Sequence, residues 1–147
     1  MSVALVTGAT GLVGSHIAEL LLHQGWSVRA LVRSSPSLGQ LLPGVEPATG
    51  DVLDEASFRR AAQGCNVVFH AAANIIVPGG WDAYRVTNIE GTRNAIGAAE
   101  NAGARLLQVS SVAVYGPSSR YDAAKRGEKT DERTVLAPLS DRAFYAR

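Results

Sequence analysis

The sequence predicts an α/β domain: a doubly wound parallel sheet with flanking helices. Three observations predict it. Short apolar runs rich in β-branched residues recur along the chain, longer segments of helical periodicity alternate with them, and glycines cluster where the first run meets the first helix. At 147 residues, 46% of them apolar, the chain has the size and composition of one globular domain with a proper buried core.

Val3 to Val6 is the first strand. The first helix, Leu12 to His23, carries Leu12, Ile17, Leu20, Leu21 and the small Ala18 at helical spacing, and Gly25 supplies its stop. Val28 to Val32 and Val45 to Thr49 are the second and third strands. A second helix begins near Asp54, where Asp54 and Glu55 put acids at the positive helix end, and stops at Gly64. Asn66 to His70 is the fourth strand; a third helix runs from about Trp81 or Tyr84 to Asn101 and ends at Gly103; Arg105 to Val109 is the fifth strand. The near-continuous apolar character of the strands predicts helices on both faces of the sheet. From Gly116 to Arg142 the chain turns polar, with Pro117 and Pro138, and reads as a long surface loop, before Asp141 to Arg147 begins to look helical again. A loop that long is usually functional or incomplete in context, so the sequence is expected to be part of a longer protein.

Lys and Arg total 14 against 13 Asp and Glu, so no charge excess points to nucleic acid or an anionic membrane as partner. Cys65, the only cysteine, excludes an internal disulfide and a cysteine zinc cluster and suits a reducing compartment, with the cytoplasm as the expectation. No metal-ligand pattern stands out. No basic-then-apolar leader opens the chain, and no window approaches the roughly 20 apolar residues that span a bilayer.

The chemistry starts at Thr7-Gly8-Ala9-Thr10-Gly11-Leu12-Val13-Gly14, which follows a predicted strand and opens a predicted helix. Gly8 permits a tight turn, Gly11 lets backbone N–H groups approach a pyrophosphate, and Gly14 lets the helix pack close to the strand. The helix N-terminus adds a positive field. Gly8, Thr10, Gly11, Leu12, Val13 and Gly14 are therefore candidate ligands of a dinucleotide in a Rossmann-type fold; a sharp turn without a ligand is the alternative. At the end of the second strand such domains present an acid to the ribose of NAD or a cation to the extra phosphate of NADP. Here the chain reads Val32-Arg33-Ser34-Ser35 with no acid, so Arg33 leans the cofactor toward NADP over NAD, unless it is only a solvated surface cation.

Gly11 comes three positions after Gly8, whereas the commonest dinucleotide fingerprint has a single residue between its first two glycines. The segment from Thr7 to Gly14 resembles the extended short-chain dehydrogenase/reductase superfamily, the branch that includes NAD-dependent nucleotide-sugar epimerases and dehydratases and dihydroflavonol-reductase-like enzymes. Later segments match in order, so the resemblance runs from residue 3 to 147. It implies that Asp51 and the Val52 backbone contact the adenine, a role for which helix capping is the alternative at Asp51. It implies that Ala71, Ala72 and Ala73 line the dinucleotide, that Asn88 contacts backbone or cofactor near the active site, and that Ser110 lines the nicotinamide pocket. His70 is expected to be packed rather than catalytic.

The resemblance makes Ser111 the catalytic serine, and a hydroxyl there suits a substrate carbonyl or alkoxide as charge develops. No adjacent base supports a covalent serine nucleophile. The family also uses a tyrosine with a lysine one helical turn later, whose charge lowers the phenol pKa from about 10. Tyr121 and Lys125 have that spacing but lie too soon after Ser111, whereas Tyr145 follows Ser111 by 34 positions and Phe144-Tyr145-Ala146-Arg147 resembles the start of the catalytic helix. The lysine would then fall two positions beyond Arg147. Gly127 to Arg133 resembles the acidic segment ahead of that helix, or is a charged surface loop.

The implied function is an NAD(P)-dependent oxidoreductase or epimerase acting on a carbonyl or secondary alcohol of a small molecule. Arg33 leans toward a reductase, while Val114-Tyr115-Gly116 and the acidic segment lean toward a nucleotide-sugar enzyme. The alternative is a non-catalytic dinucleotide-sensing or protein-binding module of the same fold. Residues 1–147 are expected to form the NAD(P)-binding domain without the C-terminal substrate-binding part, and not to be fully active alone. A homodimer of the longer protein is left open.

Overall fold

The apolar run that opens the chain becomes the middle strand of a five-stranded sheet. The computed structural model describes residues 1–33, 39–75, 78, 80–115, 127, 131–134, 139, 143 and 145. Strand β1 (Val3–Thr7) lies between β2 (Ser27–Val32) and β4 (Val67–His70), with β3 (Val45–Thr49) and β5 (Arg105–Gln108) at the edges; the order is β3-β2-β1-β4-β5 and every pair is parallel. The chain winds outward from β1 to β3, then crosses back to β4 and β5. In open α/β sheets such a reversal is where ligands bind, beyond the carboxyl ends of the strands; here it falls between β1 and β4, where Thr7 stands in register with both Leu31 and His70.

Two apolar clusters sandwich the sheet. On one face Ala4, Val6, Val28, Ala30 and Val32 pack with Ala18 and Leu21 of α1 (Leu12–His23). On the other, Leu5, Leu31 and Val68 meet Phe58, Ala61 and Ala62 of α2 (Glu55–Ala62) and Ala95, Ala98 and Ala99 of α4 (Gly91–Ala102). The alanines leave little side-chain thickness between helix and sheet, so backbones come close and Phe58 fills the remaining space. Asp54 caps α2, accepting the Ala56 and Ser57 N–H groups at 3.1 and 3.3 Å. At the other end Arg29 donates from β2 to the carbonyls of Ala61 and Gln63 at 2.7 and 3.1 Å, satisfying acceptors the helix leaves open.

Two expectations are corrected. Cover on both faces holds for β1 but fails for β3 and β5, whose residues are mostly exposed or half-buried because both strands are edges. Within β3, Gly50 following the strand bonds inward to Val32, so alternation turns the nitrogen of Pro47 outward, where a residue without an N–H does no harm. The third predicted helix is also not uniform: α3 (Gly80–Tyr84) passes into a π-helical segment (Arg85–Glu90) and then α4, with the Gly91 N–H bonding Val86 O five residues back. Most of the predicted helix from Asp141 and most of the loop from Gly116 lie outside the described residues; Ala143 and Tyr145, which are described, are not helical.

Phe58 is fully buried and is the largest such side chain among the described residues. Phe58→Ala is expected to destabilise the domain by about 3–5 kcal/mol, read as a fall in the urea midpoint.

Candidate functional site

Gly8 leaves β1 with φ +69°, a conformation in which a side chain is strained. A Cβ there would also sit 2.9 Å from the Ala71 carbonyl and the Ala72 nitrogen, and one on Gly14 would fall on the Gly8 carbonyl. The turn is therefore pressed onto two neighbours at once. Gly11 donates its N–H to Gly8 O at 2.9 Å and accepts from the Ser15 N–H at 2.9 Å, which starts α1. No side chain caps this helix and its first turn holds no acid. Leu12 and Val13 are 78% and 51% exposed, so the first N–H groups of α1 face open space with the positive helix end behind them. An uncapped helix N-terminus of this kind suits an anionic pyrophosphate, and the absence of side chains at Gly8 and Gly14 lets the turn lie at backbone contact with its neighbours. Thr10 is exposed in the same turn.

The facing wall is the chain leaving β4. Thr7 Oγ1 lies 2.7 Å from His70 Nδ1 and accepts the Ala72 N–H at 3.2 Å. His70 is fully buried, and burial pushes its pKa down to about 4; it is a packed, neutral histidine, as expected. Asn88 makes two hydrogen bonds, both to backbone: its Oδ1 accepts the Asn74 N–H at 2.7 Å and its Nδ2 donates to Asn74 O at 2.9 Å. Asn74 reciprocates, donating to Ala83 O at 3.0 Å and Thr87 Oγ1 at 2.9 Å. The segment holding Ala71, Ala72 and Ala73 is thus tied to β1 at one end and to α3 and the π segment at the other.

Beyond β2 and β3 the other half of the site takes shape. Arg33 is exposed immediately after β2, and Gly50, which donates to Val32 O at 2.9 Å, brings Asp51 alongside. Asp51 Oδ1 accepts the Leu53 N–H at 2.9 Å in a local turn, leaving the cap of α2 to Asp54. Asn94 of α4 donates to Val52 O at 2.8 Å and steadies this loop. Ser34 and Ser35 lie outside the described residues.

Past β5, Ser110 is exposed and Ser111 half-buried. Ser111 Oγ accepts the Ala113 N–H at 3.2 Å and opens a 3-10 turn (Val112–Tyr115), whose Tyr115 donates to Asp131 O at 3.2 Å. Tyr145 is half-buried in a turn; among the described residues no hydrogen bond joins it to Ser111. Tyr121 and Lys125 fall outside the described residues. A separate groove of about 530 Å³, lined by Arg29, Glu46, Pro47 and Arg60 among others, shares no residue with the glycine turn. Sequence reasoning missed Thr7, Asn74 and Asn94 as supports of the site. Their signal is a polar residue at a strand exit or on a helix face otherwise meant for packing, which becomes readable only once the strand order is known.

His70 also makes stability depend on pH. Its folded pKa of about 4 lies below the ordinary 6.5, so between these values the unfolded chain binds the extra proton. Stability is full above pH 6.5 and falls as the pH drops toward 4, by about 3 kcal/mol for this group. Urea midpoints measured across pH 7.5 to 4 should show the fall, and His70→Asn should flatten it.

Residues 4–147 match the NAD dependent epimerase/dehydratase family. The ceramide reductase of Caulobacter vibrioides is 39% identical over 127 residues, covering 84% of this chain and 39% of that protein. The structure resembles a short-chain dehydrogenase/reductase superfamily protein from Agrobacterium tumefaciens with bound NAD at TM-score 0.72 and 28% identity, over 98% of this chain and 42% of that one. It also resembles WbmH of Bordetella bronchiseptica in complex with NAD+ at TM-score 0.77 and 25% identity, over 99% and 50%. The chain spans well under two thirds of these proteins. With the glycine turn, the open start of α1 and the reversed strand order all in place, the chain belongs to the NAD dependent epimerase/dehydratase family of short-chain dehydrogenases/reductases.

Proposed function

We propose that residues 1–147 are the dinucleotide-binding part of a cytoplasmic NADP(H)-dependent oxidoreductase or epimerase acting on a carbonyl or secondary alcohol of a small molecule. The observation that carries this reading is the uncapped N-terminus of α1 facing a crevice whose walls, at Gly8 and Ala71–Ala72, are backbone against backbone. The N–H groups of Leu12, Val13 and Gly14 hold the pyrophosphate, with Thr10 and Gly11 shaping the turn. Asp51 and the Val52 backbone recognise the adenine, and Ala71, Ala72 and Ala73 leave room for the rest of the cofactor. Arg33 supports NADP, since a guanidinium at this point neutralises a 2′-phosphate and no acid competes for the ribose. The buried free thiol of Cys65 is compatible with a reducing compartment.

The nicotinamide, when bound, supplies or accepts the hydride. Ser110 borders its pocket, Ser111 donates a hydrogen bond to the substrate oxygen, and Tyr145 moves the proton to or from that oxygen. Asn88 acts on this centre through Asn74, by fixing the wall beside it.

Titrating NADPH and NADH against Trp26 and Trp81 fluorescence tests the cofactor. NADPH should bind more tightly, and Arg33→Ala should weaken it about 10-fold while leaving NADH nearly unchanged; equal affinities in the unaltered protein would remove the case for NADP. In the intact protein Tyr145→Phe should lower turnover by about 10²-fold or more at unchanged cofactor affinity. Unaltered turnover would sink the assignment and favour a binding module.

A further inference from the structure

Thr7 and His70 face each other across the β1–β4 pair at the point where the two strands part. Both are fully buried, and together they engage three polar groups: the Thr7 hydroxyl, His70 Nδ1 and the Ala72 N–H. Among the described residues His70 Nε2 has no hydrogen-bond partner, and the ring of Phe58 lies 6.0 Å away, centroid to centroid.

The direction of the Thr7–His70 bond follows from counting donors. If the imidazole carried its proton on Nδ1 and donated to Thr7, the hydroxyl would receive two hydrogen bonds and its own proton would point at nothing, with Nε2 also unpaired. If the hydroxyl donates to Nδ1, the proton sits on Nε2 and a single buried group is left over. Buried polar groups without partners are costly, so the second arrangement wins. It also leaves the oxygen lone pair of Thr7 aimed at the Ala72 N–H. The Ala71–Ala72 peptide is the one on which a Gly8 Cβ would collide.

We propose that the Thr7 hydroxyl, donating to a neutral Nε2–H imidazole of His70, is a latch that holds the Ala71–Ala72 peptide against Gly8 and so sets the width of the dinucleotide crevice. Thr7 and His70 are then positioning residues, acting on the cofactor through backbone they do not share with it. The latch rests on the reading of this crevice as the dinucleotide site. It governs the wall formed by Ala71 to Ala73, while the pyrophosphate end is held separately by the Gly8–Gly14 contact and the start of α1.

The test compares the intact protein with Thr7→Val, which keeps the shape and removes the hydroxyl, and with Thr7→Ser, which restores it. The probes are NADPH and NADH, and the fragments 2′-phospho-ADP-ribose and ADP-ribose, which lack the nicotinamide. Thr7→Val should weaken the dinucleotide about 10-fold, the loss of one hydrogen-bonded contact to a half-buried peptide, with a much smaller effect on the matching fragment. Thr7→Ser should restore binding. Equal losses for dinucleotide and fragment, or none, would overturn the latch. Nitrogen-15 spectra of His70 in the unaltered protein at pH 7 decide the point even if Thr7→Val fails to fold: a proton on Nε2 is expected, and a proton on Nδ1 overturns the proposal. If the unaltered protein binds neither dinucleotide, the reading of the crevice fails, and the spectra still report the tautomer by themselves.

Discussion

The carboxyl edge of this sheet is organised by one close approach, that of the Gly8 backbone to the Ala71–Ala72 peptide. No side chain fits between them, so the exits of β1 and β4 are held at backbone contact distance and the first turn of α1 is presented outward. Protein interiors are packed too tightly for such a contact to be relaxed locally. A methyl group at Gly8 or Gly14 has to move a main chain, and with it the first N–H groups of α1. The alanine-rich faces of α2 and α4 extend the same economy of volume through the core, where Phe58 is the single large filler beneath His70.

Holding the far wall falls to neutral carboxamides rather than to charges. Arg85, Glu90, Asp82 and Arg93 form a chain of ion pairs over the π segment, but these side chains are substantially exposed, and such pairs contribute little in water. Asn74 and Asn88 are half-buried and exchange four hydrogen bonds with backbone and Thr87. The π-helical register lies where Asn88 has to reach Asn74, and a helix with one extra residue per turn is a known way to re-aim a side chain at a functional site.

Strand positions, both ends of α1, the cap at Asp54 and the tight glycine turn were legible in the sequence because each is set by local chemistry: β-branched runs, helical spacing, glycine, an acid before a helix. The exposure of β3 and β5 was not, since whether an apolar strand is central or at an edge depends on strand order. The π segment was not legible either, and Asn74, to which its Asn88 bonds, lies 14 residues away in sequence. The anchoring of the loop after β3 by Asn94 joins residues 42 apart, beyond the reach of any periodicity.

The two edges of the sheet are chemically unlike. Along β3, Pro47 and Glu46 give an incoming strand neither a continuous row of donors nor an apolar landing. Along β5 no proline interrupts the ladder; Leu107 is exposed, while Leu106, on the other side, packs against the core. The two edges therefore differ in what they present to a neighbouring strand, and the uninterrupted one lies on the flank where Ser110 and Ser111 emerge.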